Sequence, residues 1–175
     1  MRILSLESTR VAGSVATLHV TTGESAAENV PLPEDARTAE SLIPTIGRLL
    51  EDRQWKIQEI DLICVATGPG SFTGLRIGVA AAKTLAYATG ASLVGVHTLG
   101  AMASAATWDE RLWTVLDAGR GQLFVAAIHA DSTSNELHAP ATSIMNIGDW
   151  LEQLQPGDAV CGPPIANLKP PLPGG

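Results

Sequence analysis

Gly68 to Ala86 reads GPGSFTGLRIGVAAAKTLA, a glycine-punctuated loop running straight into a helix lined with small residues. Just upstream, Ile60 to Ala66 (IDLICVA) is short, mostly apolar and rich in branched residues, which fits a buried strand better than a helix. Gly68, Pro69 and Gly70 end that strand. Ser71 or Thr73 can then cap the helix through a hydroxyl that accepts from the free backbone N–H groups of the first turn. Gly74, Gly78 and Ala82 recur every four residues, so one helix face is nearly bare and another backbone can come close. The spacing predicts a helix-on-helix contact there.

A glycine-rich turn at a helix N-terminus offers N–H donors and a positive dipole end to an anion. The spacing departs from the known phosphate loops. A P-loop needs Lys and Ser or Thr straight after its last glycine, where this chain has Leu75 and Arg76, and the dinucleotide fingerprint needs one residue fewer before Gly74. Pro69 also removes one donor. A ligand-free strand-to-helix turn and an anion site both stay open on these residues alone.

The chain has 175 residues, enough for one large domain or two small lobes with a substantial core. With 45% hydrophobic residues it reads as globular rather than disordered. A net charge of −7, with only 11 scattered Lys and Arg, argues against a surface that grips nucleic acid unaided. The N-terminal MRILSL is too short for a signal-peptide core, and no stretch is long enough to span a bilayer. Cys64 and Cys161 both lie in apolar runs and read as two buried free thiols, which points to a reducing cytoplasm.

Outward from the central stretch, Ile3 to Leu6 and Ser14 to Val20 read as a strand pair, with a third strand near Ala26 to Val30. Thr38 opens a helix with apolar residues at Ala39, Leu42, Ile43, Ile46, Leu49 and Leu50. Pro44 inside it is expected to kink the first turns or shift the start. Ser92 to Val96 is a strand and Thr98 to Thr107 an Ala-rich helix. Leu112 to Leu116 and Gln122 to Ile128 form a second hairpin around Asp117 to Gly121. Beyond it come a strand near Glu136 to Thr142, a helix from Ile147 to Leu154 and a strand at Ala159 to Cys161. The hairpins match: LSLEST with SVATLHV, and TVLDAG with LFVAAIH, each with an acid closing its first strand. Such a repeat suggests a duplicated unit, with a first lobe over 1–108, an incomplete second lobe over 109–162 and a Pro-rich tail over 163–175.

Taken together, LSLEST, GPGSFTGLRIG, AKTLAYATG, GVHTL and LDAGRGQLF resemble the TsaB family, also known as YeaZ. The resemblance implies an α/β, actin-like ATPase (ASKHA, ribonuclease H-like) fold with two related lobes, the second truncated here. It implies an accessory, non-catalytic role beside the paralogue TsaD and the ATPase TsaE in placing threonylcarbamoyl on adenosine 37 of tRNA. It further implies that the two helices of the first lobe, Thr38 to Arg53 and Thr73 to Thr89, form the interface with TsaD and a homodimer. Leu42, Ile46, Leu49, Gly74, Arg76, Gly78, Ala82 and Lys83 are the candidate partner-binding residues. The tRNA is then met only through the complex, and no membrane is involved. Members usually carry Asp where this chain has Glu7, and typical members continue further at the C-terminus.

No catalytic constellation assembles from the titratable residues. His19, His97, His129 and His138 lack the HxxxH spacing that sets two imidazoles on one helix face for a metal, as the catalytic paralogue has. No metal is expected, and a metallopeptidase reading finds no paired ligands. The alternative is a small ATPase or phosphotransferase, in which Glu7, Ser8, Thr9 and Asp117 of the two hairpins hold ATP or ADP with Mg²⁺. Against it, both acids can simply cap their turns, and the glycine-rich adenosine-binding region expected of such folds is not visible. No cofactor is required for the accessory role. Arg76 and Lys83, two turns apart, share one face of the central helix and can set register at a helical interface. The four tryptophans are too widely spaced to stack bases.

Overall fold

The structure, a computed structural model, describes residues 1–10, 13–33, 35–129 and 140–167. The chain divides into two units, Met1–Val96 and His97–Gly175. In the first, β1 (Arg2–Glu7), β2 (Ser14–Thr21) and β3 (Glu24–Pro31) form an antiparallel meander, and β4 (Leu62–Gly68) lies parallel to β1. With β5 (Ser92–His97) at the far edge, the strand order is β3-β2-β1-β4-β5.

Alternation along the strands makes the core. Leu4 and Leu6 of β1, Val15 of β2, and Ile63 and Val65 of β4 turn to one buried cluster. Against them α1 (Thr38–Asp52) lays Leu42, Ile46, Leu49 and Leu50, a stripe with helical period. The helix begins at Thr38 and runs through Pro44, whose ring faces solvent. α2 (Phe72–Thr89) is capped by the Ser71 hydroxyl, which accepts the Gly74 amide at 3.2 Å. The helix stops at Gly90, whose left-handed backbone (φ 77°) suits a residue without a side chain.

The second unit repeats the strand plan. β6 (Arg111–Gly119) and β7 (Gln122–His129) form the hairpin, β8 (Ser143–Asn146) lies antiparallel to β7, and β9 (Ala159–Cys161) parallel to β6. The order β8-β7-β6-β9 matches β3-β2-β1-β4, which gives the duplicated hairpins a shared topology. α3 (Thr98–Ser104) is shorter than its Ala-rich sequence suggests. Its Leu99 packs with Leu116 and Ala126, and its Ala103 with Leu112 and Ile128. It therefore belongs to the second unit, and the boundary falls ahead of residue 108. α4 (Ile147–Leu151) ends before Leu154 and buries Trp150 against Trp113. Residues 136–139 of the strand expected near Glu136, with His138, lie outside the described residues; the strand present is β8. Pro163–Asn167 forms a short 3-10 turn, and 168–175 are also outside the described set.

An ion pair ties the residue before β9 to β6. Arg111 reaches Asp158 with two donors, Nε at 2.7 Å and Nη2 at 2.5 Å, while Trp113 Nε1 and the Gln155 amide donate to Asp158 Oδ2 at 3.1 and 2.8 Å. These donors hold the Asp158 carboxyl at about 2, first through Arg111.

Candidate functional site

The turn after β1 meets the start of α2. Glu7, Ser8 and Thr9 leave the strand, and Ser8 and Thr9 are 0% and 2% exposed. The Thr9 amide donates to Glu7 Oε1 at 2.6 Å, and the Thr9 hydroxyl donates to the same oxygen. The Ser8 hydroxyl donates to the Gly74 carbonyl at 2.9 Å, and the Ser71 amide donates to the Thr9 carbonyl at 2.6 Å. Glycine is required on the α2 side: a Cβ on Gly74 would stand 1.8 Å from the Ser8 carbonyl oxygen, and one on Gly78 2.1 Å from the Ser8 hydroxyl.

The bare face of α2 is therefore covered by this chain's own β1 turn. Gly74, Gly78 and Ala82 are buried inside the first unit, and the close approach read from their spacing is made at Gly74 by the Ser8 backbone and at Gly78 by the Ser8 side chain. Leu42, Ile46 and Leu49, expected at a partner interface, lie in the core beneath α1.

Arg76 and Lys83 remain exposed. They share their stripe with two aromatic residues the sequence reading passed over, Phe72 (74% exposed) and Tyr87 (94% exposed). Positions 72, 76, 83 and 87 fall within an arc of about 60° on a regular helix, opposite the glycines. The Arg76 guanidinium lies 5.5 Å from the Phe72 ring centroid. α1 packs beside α2 and exposes Ile43 (52%) with Pro44, Gly47 and Arg48. The missed signal was an aromatic at each end of a helix otherwise built of small residues.

The second hairpin turn also closes on its acid. Asp117 Oδ1 accepts the Gly119 amide at 2.7 Å, and Gly119, Arg120 and Gly121 all take positive φ (79°, 57° and 76°). A Mg-nucleotide gripped at the first hairpin needs donors free to face its phosphates. Thr9 has given both of its donors to Glu7, and Ser8 has given its hydroxyl to Gly74, so Glu7, Ser8 and Thr9 do not fit that group.

His19 and His97 have local roles. His19 packs edge-on against Trp55 with centroids 5.6 Å apart, and Arg2 and Arg53 also approach that ring. His97 caps α3, its Nδ1 accepting the Gly100 amide at 3.3 Å, and burial holds its pKa below the ordinary value. Cys64 and Cys161 are half-buried free thiols, and burial pushes the Cys64 thiol up. Among the described residues no helix is long and apolar enough to cross a membrane.

The family model described as TsaD, tRNA N6-adenosine threonylcarbamoyltransferase, matches residues 30–160. The tRNA threonylcarbamoyladenosine biosynthesis protein TsaB of Bacillus subtilis is 35% identical over 117 residues, 66% of this chain and 51% of that protein. Its Escherichia coli namesake is 31% identical over 135 residues, 75% of this chain and 56% of that protein. YeaZ from Pseudomonas aeruginosa has a similar structure, with a TM-score of 0.68 at 24% identity, covering 90% of this chain and 71% of that one. The chain thus spans about half the length of the curated relatives it matches. The two sheets and these likenesses define a mixed α/β protein with the fold of YeaZ. Within that class, the chain belongs to the TsaD family, on its TsaB, or YeaZ, branch.

Proposed function

We propose that this chain is a non-catalytic, accessory subunit in threonylcarbamoyladenosine formation on tRNA, and that it holds a TsaD-like paralogue on the outer faces of α1 and α2. The observation that carries the reading is the exposed stripe Phe72, Arg76, Lys83 and Tyr87, beside Ile43, in a member of the TsaB branch. Exposed aromatics and an arginine are the residue types that anchor protein interfaces, and such a cluster on a soluble surface otherwise favours self-association. The same surface serves a homodimer in isolation, which the paralogue displaces. A TsaE-like ATPase joins the complex, and with a charge of −7 the chain meets tRNA only through its partners.

Mixing the purified chain with the TsaD-like protein of the same organism tests the reading by gel filtration and calorimetry. Association is expected without added nucleotide. Absence of association at micromolar concentrations contradicts the proposal.

A further inference from the structure

We infer that the Glu7 carboxylate is a built-in anion: it fills a two-donor oxyanion site in the turn after β1, and a small free oxyanion enters that site only when the carboxylate is removed. The inference stands apart from the partner reading. Its ligand chemistry is that of a carboxylate or phosphate oxygen accepting from one amide and one hydroxyl.

The two donors belong to Thr9 and converge on a single oxygen, Glu7 Oε1. They are held in place from the other side. The Thr9 carbonyl accepts the Ser71 amide at 2.6 Å, and Gly70 sits so close that a Cβ there would come within 2.5 Å of Thr9 Cβ. Ser8, one residue back, is tied to the Gly74 carbonyl. The Thr9 backbone is held by these contacts, so removal of the acid takes the shared acceptor away from a buried N–H and O–H. Such orphaned donors are costly, and the cost favours any small anion that can reach them. The second hairpin differs: among the described residues Asp117 accepts one donor, the amide of half-buried Gly119, and no hydroxyl.

The test uses the full chain with Glu7→Ala and Glu7→Gln. Glu7→Ala is expected to melt about 2 to 6 °C below the unsubstituted protein. Sodium formate, compared with sodium chloride at equal ionic strength, is expected to recover about half of that loss or more in Glu7→Ala and to leave the unsubstituted protein unchanged. Inorganic phosphate should move the Thr9 amide resonance in Glu7→Ala only. Equal formate effects on both proteins overturn the inference, as does a phosphate response at Thr9 in the unsubstituted chain. Should Glu7→Ala not fold, Glu7→Gln decides: its neutral acceptor should shift the Thr9 amide proton upfield, and an unmoved resonance overturns the inference.

Discussion

The Ser8 hydroxyl donates to the carbonyl of Gly74 at 2.9 Å, and the Ser8 carbonyl oxygen lies where a side chain at position 74 would begin. This one relationship joins the β1 turn to α2 and accounts for the glycine at position 74, as the Ser8 side chain does for Gly78. Both glycines admit the chain's own turn.

The first prediction contrasts two helical glycines. Gly74→Ala forces a Cβ to 1.8 Å from a backbone oxygen that cannot step aside, and is expected to destabilise by roughly 2 to 4 kcal/mol. Gly47→Ala on α1 meets nothing within 4 Å and removes a helix-weakening glycine, so it should stabilise by about 0.5 to 1 kcal/mol. Urea unfolding of both variants measures the two signs.

Asp158 gives an acid-side prediction. Its carboxyl is held at about 2, below the ordinary value of 3.8, chiefly by Arg111. Stability from this group is therefore complete above the ordinary carboxylate value and is lost as pH falls from there through about 2. Asp158→Asn should cost roughly 1 to 3 kcal/mol at neutral pH. It should also flatten the decline in melting temperature between pH 4 and pH 2, in steps about that range.

His97 supplies a second pH signature. Its Nδ1 accepts the Gly100 amide only when unprotonated, and burial lowers its pKa below the ordinary value of 6.5. The unfolded chain takes the proton first, so the contribution is full above 6.5 and falls as pH drops through 6.5 toward the folded value. His97→Asn keeps a capping acceptor and should remove this pH dependence while leaving the helix in place, as read by thermal melts across that window.

Much of the fold is legible in the sequence because its signals are local. Two-residue alternation marks β1, β2 and β7, a nearly continuous apolar run marks β6, and the α1 stripe of Leu42, Ile46, Leu49 and Leu50 marks a helix even through Pro44. The matching hairpins announce the repeated strand order. The surface is harder to read, because periodicity says that a face is special without saying what covers it. Gly74, Gly78 and Ala82 look equally suited to a partner helix and to Ser8, and Leu42 or Leu49 suits a core as well as an interface. Phe72 and Tyr87 carried the opposite message, since they stay exposed on the face away from the small-residue stripe. The role of Glu7 depended on where its carboxylate turns, and only coordinates show that it reaches Thr9.

The outer stripe of α2 should act in binding and not in folding. Phe72→Ala and Tyr87→Ala remove exposed side chains and are expected to change stability by less than about 0.5 kcal/mol. Denaturation midpoints within that margin of the unsubstituted chain check this.

The central claim is tested most directly by calorimetric titration of the TsaD-like paralogue into the unsubstituted chain and into the doubly substituted Phe72→Ala, Tyr87→Ala protein. The account predicts saturable binding to the first and a Kd weaker by about 10-fold to 100-fold for the second, as expected when interface anchors are truncated. An unchanged Kd in a fully folded double variant would contradict it.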